Sequence, residues 1–261
     1  MFFFNNRNYT LYLELTKTLA FLARKFPGIR KTLSNFLVTN NTEGCTFEDI
    51  SFPFDKSLMD KKRLIAIASG SIEYEEIYIA KKYFNKNDTI LELGSGLGIS
   101  SSLIFKKVFP KKMICLEANP AAMKYAKNLF KINNLKIHIK NTALGNGREK
   151  SFYVCNDYLL SSFKKPTIKQ IFTKIKIKTT SIDTLIKNYK PNALFCDIEG
   201  AEKYFLNPSK LFNIKKVVIE LHPDIYGEKT LQKIIVSFKN ENYKLVEKTK
   251  QTYCFIKNKF F

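Results

Sequence analysis

From residue 72 onward the chain alternates short apolar runs with amphipathic stretches, and this alternation constrains the fold more than any other feature. Runs at 89–93, 113–117, 193–197 and 216–221 have strand length and are apolar or β-branched throughout most of their span, and 136–140 reads as a further strand. Between them, residues 72–84, 98–108, 120–133, 181–187 and 231–240 space their apolar residues at helical period. Ile72, Glu76, Ile79, Ala80 and Tyr83 show this spacing in the first of these stretches. Pro120 suits a first helical turn and Ser181 an N-cap. Residues 202–211 predict a short helix broken at Pro208. Strand patterns at 243–248 and 252–257 predict a closing antiparallel hairpin, and 151–155 and 174–179 two further strands. In the latter, Lys174, Lys176 and Lys178 share one face. Strands that alternate with helices imply a mainly parallel sheet covered on both faces, here α/β, doubly wound, with about seven core strands. A ligand of such a sheet lies outside the carboxyl ends of the strands, at the topological switch point.

The first 45 residues predict a helical extension, leaving one domain over 46–261. Residues 46–68 are mixed, with Pro53 and the basic group Lys61-Lys62-Arg63. The start, Met1-Phe2-Phe3-Phe4, lacks the basic region that opens a secretory signal. Residues 11–26 form the most apolar stretch, but Glu14, Lys17, Arg24 and Lys25 interrupt it, so no spanning helix is expected. The stretch is amphipathic and suits packing, pairing with a second copy, or peripheral contact with a membrane surface. Cys45, Cys115, Cys155, Cys196 and Cys254 are dispersed and odd in number, which excludes a disulfide framework or a Cys-x-x-Cys zinc site. A reducing, cytoplasmic setting is expected. The 23 Phe and 13 Tyr exclude a disordered chain. Lys and Arg number 44 against 23 acids, so the formal charge is 44 − 23 = +21. That balance favours anionic partners such as nucleic acid, acidic glycans or nucleotide-linked sugars, and a lysine-rich composition accounts for it equally well.

The most specific local motif is Glu92-Leu93-Gly94-Ser95-Gly96-Leu97-Gly98, directly after the first core strand. Glycines permit a tight turn and close backbone approach to a ligand, and the following helix offers N–H groups at its start. A second acid, Glu117, ends the next strand, followed by Ala118 and Asn119. An acid at that position can hydrogen-bond both hydroxyls of a ribose, so turn and acid together imply an adenosine-containing cofactor. A dinucleotide fingerprint needs a third glycine at 99, where Ile99 stands, and no phosphate-binding Gly-Lys-Ser/Thr occurs.

This arrangement resembles motif I of the Rossmann-like S-adenosylmethionine-dependent methyltransferases. The downstream segments Ser181-Ile182-Asp183-Thr184-Leu185, Phe195-Cys196-Asp197-Ile198-Glu199-Gly200-Ala201-Glu202 and Val218-Ile219-Glu220-Leu221-His222-Pro223 narrow the resemblance. With Ser69-Gly70-Ser71-Ile72-Glu73-Tyr74-Glu75 and Asn141-Thr142-Ala143-Leu144-Gly145, they look like an FkbM-family methyltransferase over about residues 65–225. The resemblance implies S-adenosylmethionine as cofactor and methylation of a hydroxyl, notably on a sugar or natural product, with a glycan or small molecule as partner. It places Glu92, Gly94, Ser95, Gly96, Gly98, Glu117, Ala118 and Asn119 at the cofactor. Many members carry Asp-x-Gly-Ala-Asn-x-Gly where this chain has Glu92, Ser95, Gly96 and Leu97, the general methyltransferase form.

Asp197, Glu199 and His222 are the catalytic candidates, because they stand at or just past the ends of strands beside the expected cofactor. With Glu202 and Glu220 they offer a general base for a hydroxyl, or oxygen ligands for a divalent metal. Glu199 and Glu202 equally suit capping of the short helix. Tyr74 and Glu75 are weaker candidates for the cofactor's methionine end, and His138 reads as core or surface. Lysines at 164, 165, 169, 174, 176 and 178 have no acidic neighbour between Asp157 and Asp183 and suit an acidic acceptor or a solvated face. Rival readings are an RNA methyltransferase, which lacks both an Asn/Asp-Pro-Pro-Tyr/Phe motif and an RNA-binding module here, and an inactive binding protein on the same fold. A nicotinamide-dependent oxidoreductase is disfavoured by Ile99.

Overall fold

A computed structural model describes residues 43–155, 161–165, 171–202 and 208–258, together with Thr32. Of the helical extension expected over the first 45 residues only Thr32 and residues 43–45 are described; of the short helix expected over 202–211, residues 203–207 lie outside the described residues and Pro208–Lys210 form a 3-10 turn. Contacts divide the chain into two compact units, Met1–Tyr74 and Glu75–Phe261.

In the first unit, β1 (Gly44–Phe47) and β2 (Ile50–Pro53) form an antiparallel hairpin. Gly44 and Cys45 thus belong to a strand rather than to a helical extension. Phe47 pairs with Ile50, so Glu48 and Asp49 make the two-residue turn, and both have positive φ. That is the backbone of a turn matched to strand twist, and an aspartate tolerates it better than most residues. Helix α1 (Lys61–Ala68) follows, capped by Asp60, whose side chain accepts from Arg63 N at 2.8 Å. The basic group Lys61-Lys62-Arg63 is therefore the first turn of a helix.

The second unit begins within α2 (Tyr74–Tyr83). The chain then alternates β3 (Thr89–Leu93), α3 (Ile99–Val108), β4 (Lys112–Glu117), α4 (Pro120–Ile132) and β5 (Ile137–Asn141). Past an excursion it resumes with α5 (Ile182–Tyr189), β9 (Ala193–Cys196), β10 (Lys216–Glu220), α6 (Pro223–Tyr226) and α7 (Glu228–Asn240). Strands β11 (Tyr243–Lys248) and β12 (Thr252–Lys257) close it as an antiparallel hairpin. The seven-stranded sheet has the order β11-β12-β10-β9-β3-β4-β5. Strands β10, β9, β3, β4 and β5 are parallel, and β12 joins β10 antiparallel. The chain leaves β3 toward one edge and returns through β9 toward the other, so the switch point lies between the carboxyl ends of β3 and β9.

Both faces of the central strands are buried. Leu91, Leu93, Ile114, Leu194, Val217 and Ile219 pack against Ile182, Leu185 and Ile186 of α5 and Leu231 and Phe238 of α7. Ile90, Met113, Cys115, Phe195 and Val218 pack against Ile79 and Ala80 of α2 and Ile104 and Val108 of α3. This two-sided burial is why the strands read as continuous apolar runs.

The strands expected at 151–155 and 174–179 form β7 (Glu149–Cys155) and β8 (Phe172–Thr180), which join β6 (Ala143–Leu144) in a separate three-stranded sheet. Lys174, Lys176 and Lys178 are exposed on one face of β8, opposite Tyr153, Ser151 and Glu149 of β7. His138 is exposed on β5.

At the amino ends of the core strands, buried Asp88 forms a clasp. Its carboxylate accepts from Lys216 Nζ at 2.7 Å, Asn192 Nδ2 at 2.9 Å and Asn85 N at 2.8 Å. Asn192 Oδ1 in turn accepts from Thr89 N at 2.7 Å. The clasp joins the starts of β3, β9 and β10 at the end of the sheet opposite the switch point.

Candidate active site

The glycine turn leaves β3 and is fastened to β4: Gly94 N and Ser95 N both donate to Leu116 O, at 3.0 and 3.1 Å. Gly94, Gly96 and Gly98 have φ of 83°, 51° and 75°, a region that favours glycine. Two of them are also fixed by space. A Cβ on Gly94 would stand 1.7 Å from the carbonyl oxygen of Asp197, and one on Gly98 would meet Phe130 and Ala126 of α4 at 2.8 and 2.9 Å. Gly98 is the N-cap of α3 and brings no side chain to its first turn.

Glu117 closes the turn from β4. One carboxylate oxygen accepts from Gly96 N at 2.7 Å and the other from Asn119 N at 2.6 Å. Burial pushes its carboxyl up to about 7, against the backbone N–H groups of Asn119, Gly96 and Ala118, which hold it down. Asn119 caps α4, accepting from Ala121 N at 3.0 Å. Ala118 lies between, its carbonyl receiving Asn141 Nδ2 at 3.1 Å, and the same amide reaches Glu117 O at 2.9 Å. Ser95 is buried, and its Oγ finds no hydrogen-bond partner among the described residues. A buried hydroxyl in that state suits a polar ligand on the turn.

Glu92 differs from the other expected cofactor residues. It is buried under α3, where its Oε2 accepts from Ser101 Oγ at 2.5 Å and Cys115 Sγ at 2.8 Å. These contacts pin α3 to β3 and β4.

The catalytic candidates do come together. Asp197 follows β9 and extends its pairing, donating its N–H to Leu93 O at 3.0 Å. Glu199 adopts φ 54° and Gly200 φ 86°, so the chain turns sharply back. Glu202, fully buried, stitches this turn by accepting from Ile198 N at 3.1 Å and Gly200 N at 3.3 Å. His222 follows β10, and its backbone N–H donates to Tyr226 Oη at 2.7 Å. Its Nε2 faces Glu199 Oε2 at 3.6 Å, Asp197 Oδ1 at 3.7 Å and Glu220 Oε2 at 3.9 Å, while Nδ1 lies 3.3 Å from Glu202 Oε1. Burial pushes the imidazole down, but Glu202, Glu220 and Glu199 outweigh it and raise His222 to about 9. Burial, with Glu202 and Asp197 behind it, holds the neighbouring Cys196 thiol well above its ordinary value, so no thiolate nucleophile forms there.

Glu75 lies away from this cluster, where it accepts from Lys250 N at 3.2 Å and pairs with Lys250 Nζ at 3.4 Å. Tyr74 is exposed. Two contributors escaped the sequence reading: Asn141 braces the end of β4, and Tyr226 holds the backbone of His222. Glu202, expected beside the catalytic candidates or as a cap, joins the 198–202 turn to the imidazole. Only Tyr226 had a local signal, four residues after His222 on a Pro-initiated helical turn.

Residues 92–245 match the family model described as the methyltransferase FkbM domain. The ribosomal protein L11 methyltransferase of Caldicellulosiruptor saccharolyticus is 24% identical over 151 residues, covering 54% of this chain and 50% of that protein. The chain thus spans about half the length of this curated relative. Among solved structures, the precorrin-6y C5,15-methyltransferase of Geobacter metallireducens superposes with a TM-score of 0.45 at 13% identity, over 79% of this chain and 94% of that one. TYW2 of M. jannaschii, in complex with AdoMet, gives 0.44 at 16% identity over 81% of each chain. With the family model matched across the glycine turn, Glu117 and the Asp197–His222 cluster, the chain belongs to the methyltransferase FkbM domain family.

Proposed function

We propose that the chain is an S-adenosylmethionine-dependent O-methyltransferase whose acceptor is a sugar hydroxyl of a surface glycan or its precursor. One observation carries this reading: the backbone carbonyl of Asp197 lies against Gly94, so the glycine turn and the acidic cluster share one end of the sheet. The residues fit the cofactor. The Glu117 carboxylate, held by backbone donors on both oxygens, keeps lone-pair capacity for a ribose hydroxyl. Glycines leave room along the turn, and buried Ser95 offers a hydroxyl without a partner.

S-Adenosylmethionine supplies an electrophilic methyl group on a sulfonium. The chain's task is to orient the acceptor oxygen and take its proton. Asp197 and Glu199 suit the second role, because their side chains stay 26% and 37% exposed at the strand ends. Glu202, buried and doubly anchored, is a positioning residue. The hydroxyl preference and the glycan acceptor rest on the family's known acceptors.

Calorimetric titration of S-adenosylmethionine into the purified chain tests the reading. Saturable binding that is lost in Glu117→Ala and kept in Asp197→Ala supports it, and no binding to a folded wild type refutes it. A nucleic-acid acceptor is the second reading, favoured by the exposed row Lys174, Lys176 and Lys178 beside the Tyr153–Phe172 ring pair at 5.5 Å. RNA affinity that falls steeply with salt and weakens when the three lysines become alanine would favour it.

A further inference from the structure

Three carboxylates of the Asp197–His222 cluster converge on one imidazole nitrogen at ion-pair distance. Asp197, Glu220 and His222 each offer a ligand atom, and these atoms lie within 4.8 Å of one another. Around His222 Nε2 the carboxylate oxygens stand at 3.6, 3.7 and 3.9 Å, each beyond hydrogen-bond length. A cation with bonds of about 2.1–2.3 Å holds neighbouring ligands roughly 3 Å apart at right angles and a little over 4 Å apart when opposite. The observed spacings fall on that scale.

A second observation is independent of the acidic residues around Nε2. His222 is only 6% exposed, and its other ring nitrogen faces Glu202 Oε1 at 3.3 Å. Glu202 is itself fully buried and held by two backbone N–H groups. A carboxylate behind one imidazole nitrogen is the arrangement that orients a metal-binding histidine and sets its tautomer once the ion is bound. Here that nitrogen points to Asp197 and Glu220. The supports are rigid: Asp197 is tied to β3 through Leu93 O, and the His222 backbone is tied to Tyr226. Four carboxylates surround one imidazole in a chain whose formal charge is +21, a local reversal of sign that a single imidazolium would not balance.

We propose that this cluster is a divalent-cation site with Asp197, Glu220 and His222 as ligands and Glu199 beside them. Two carboxylates and one imidazole suit a first-row ion such as Mn²⁺ better than Ca²⁺, whose ligands are all oxygen. The positions left over would face the acceptor's hydroxyl groups. That role rests on the methyltransferase reading, whereas cation binding does not.

The test is titration of Mn²⁺ into the chelator-treated full chain, with free Mn²⁺ read by electron paramagnetic resonance. One Mn²⁺ per chain is expected, with affinity at least tenfold weaker in Asp197→Asn and in Glu220→Gln, and ten- to a hundredfold weaker in Glu202→Gln. Glu149→Gln, on β7, should leave it unchanged. Circular dichroism establishes that each variant is folded. For any that is not, Mn²⁺ should raise the melting temperature of the wild type and fail to raise that of His222→Gln. No saturable binding to the wild type, or equal binding in Asp197→Asn and Glu220→Gln, overturns the proposal. Calorimetry with S-adenosylmethionine in the chelator-treated protein separates the two claims. Cofactor binding without Mn²⁺ binding removes only the cation site, and Mn²⁺ binding without cofactor binding removes only the methyltransferase reading.

Discussion

Replacing Glu117 by glutamine separates what this residue costs the fold from what it gives the site. Burial raises its carboxyl from an ordinary 4.5 to about 7. At 1.36 kcal/mol per factor of ten, the difference of 2.5 corresponds to roughly 3 kcal/mol. Between pH 4.5 and pH 7 the folded chain keeps a proton that the unfolded chain has released. Stability from this group is therefore greatest below pH 4.5 and falls as pH rises through 7. Between pH 5 and pH 8 the loss amounts to about 2–3 kcal/mol. Glutamine has no such dependence, although its amide leaves one of the two backbone donors, Gly96 N or Asn119 N, without an acceptor. Urea unfolding of both proteins at pH 5 and pH 8 measures the contrast: the wild type should lose about 2–3 kcal/mol more than the variant over that interval. In parallel, S-adenosylmethionine affinity should rise with pH through 7 in the wild type and be at least tenfold lower and flat in the variant. Identical pH dependence of stability in the two proteins would refute the reasoning about the buried carboxylate. Unchanged cofactor affinity would refute its role at the ribose.

Three further outcomes follow from the geometry. Gly94→Ala should destabilise the second unit by about 3 kcal/mol or more, seen in its melting temperature, because both its φ and the Asp197 carbonyl oppose a Cβ. Asp88→Ala should lose about 3–5 kcal/mol by stranding the Lys216 ammonium, while leaving S-adenosylmethionine affinity unchanged, since the clasp lies at the far end of the sheet. Glu199→Gly should gain about 1 kcal/mol in denaturant unfolding by relieving a left-handed backbone, yet lose methyl transfer, which would mark Glu199 as strained for function.

The core strands were legible because burial on two faces writes itself as mostly apolar runs, as in Met113–Leu116 and Val217–Ile219. The closing hairpin matched its expected bounds, Tyr243–Lys248 and Thr252–Lys257. Alternation along Phe172–Thr180 revealed a strand and its lysine face but not its partners, and the strand joined a separate sheet. Pairing depends on register with distant segments, which period-2 patterning does not specify. The Asp88–Lys216 clasp spans 128 residues and leaves no local trace. Helix Glu228–Asn240 starts earlier than its apolar pattern because Gly227, at φ 83°, caps it with backbone alone. Within the site, the spacing of Gly94, Gly98 and Glu117 was readable. The burial of Glu92 was not, since it depends on Ser101 and Cys115 arriving from two other elements. Asp197, Glu199 and His222 were gathered by topology alone: parallel neighbours β9 and β10 end side by side, so residues just beyond them must meet.

A crystal structure of the chain with S-adenosylmethionine at saturation tests the central claim most directly. The ribose hydroxyls are expected at the Glu117 carboxylate, the methionine along Gly94–Gly98 and the methyl group facing Asp197. Cofactor seated elsewhere, or a methyl group directed away from Asp197 and Glu199, would contradict it.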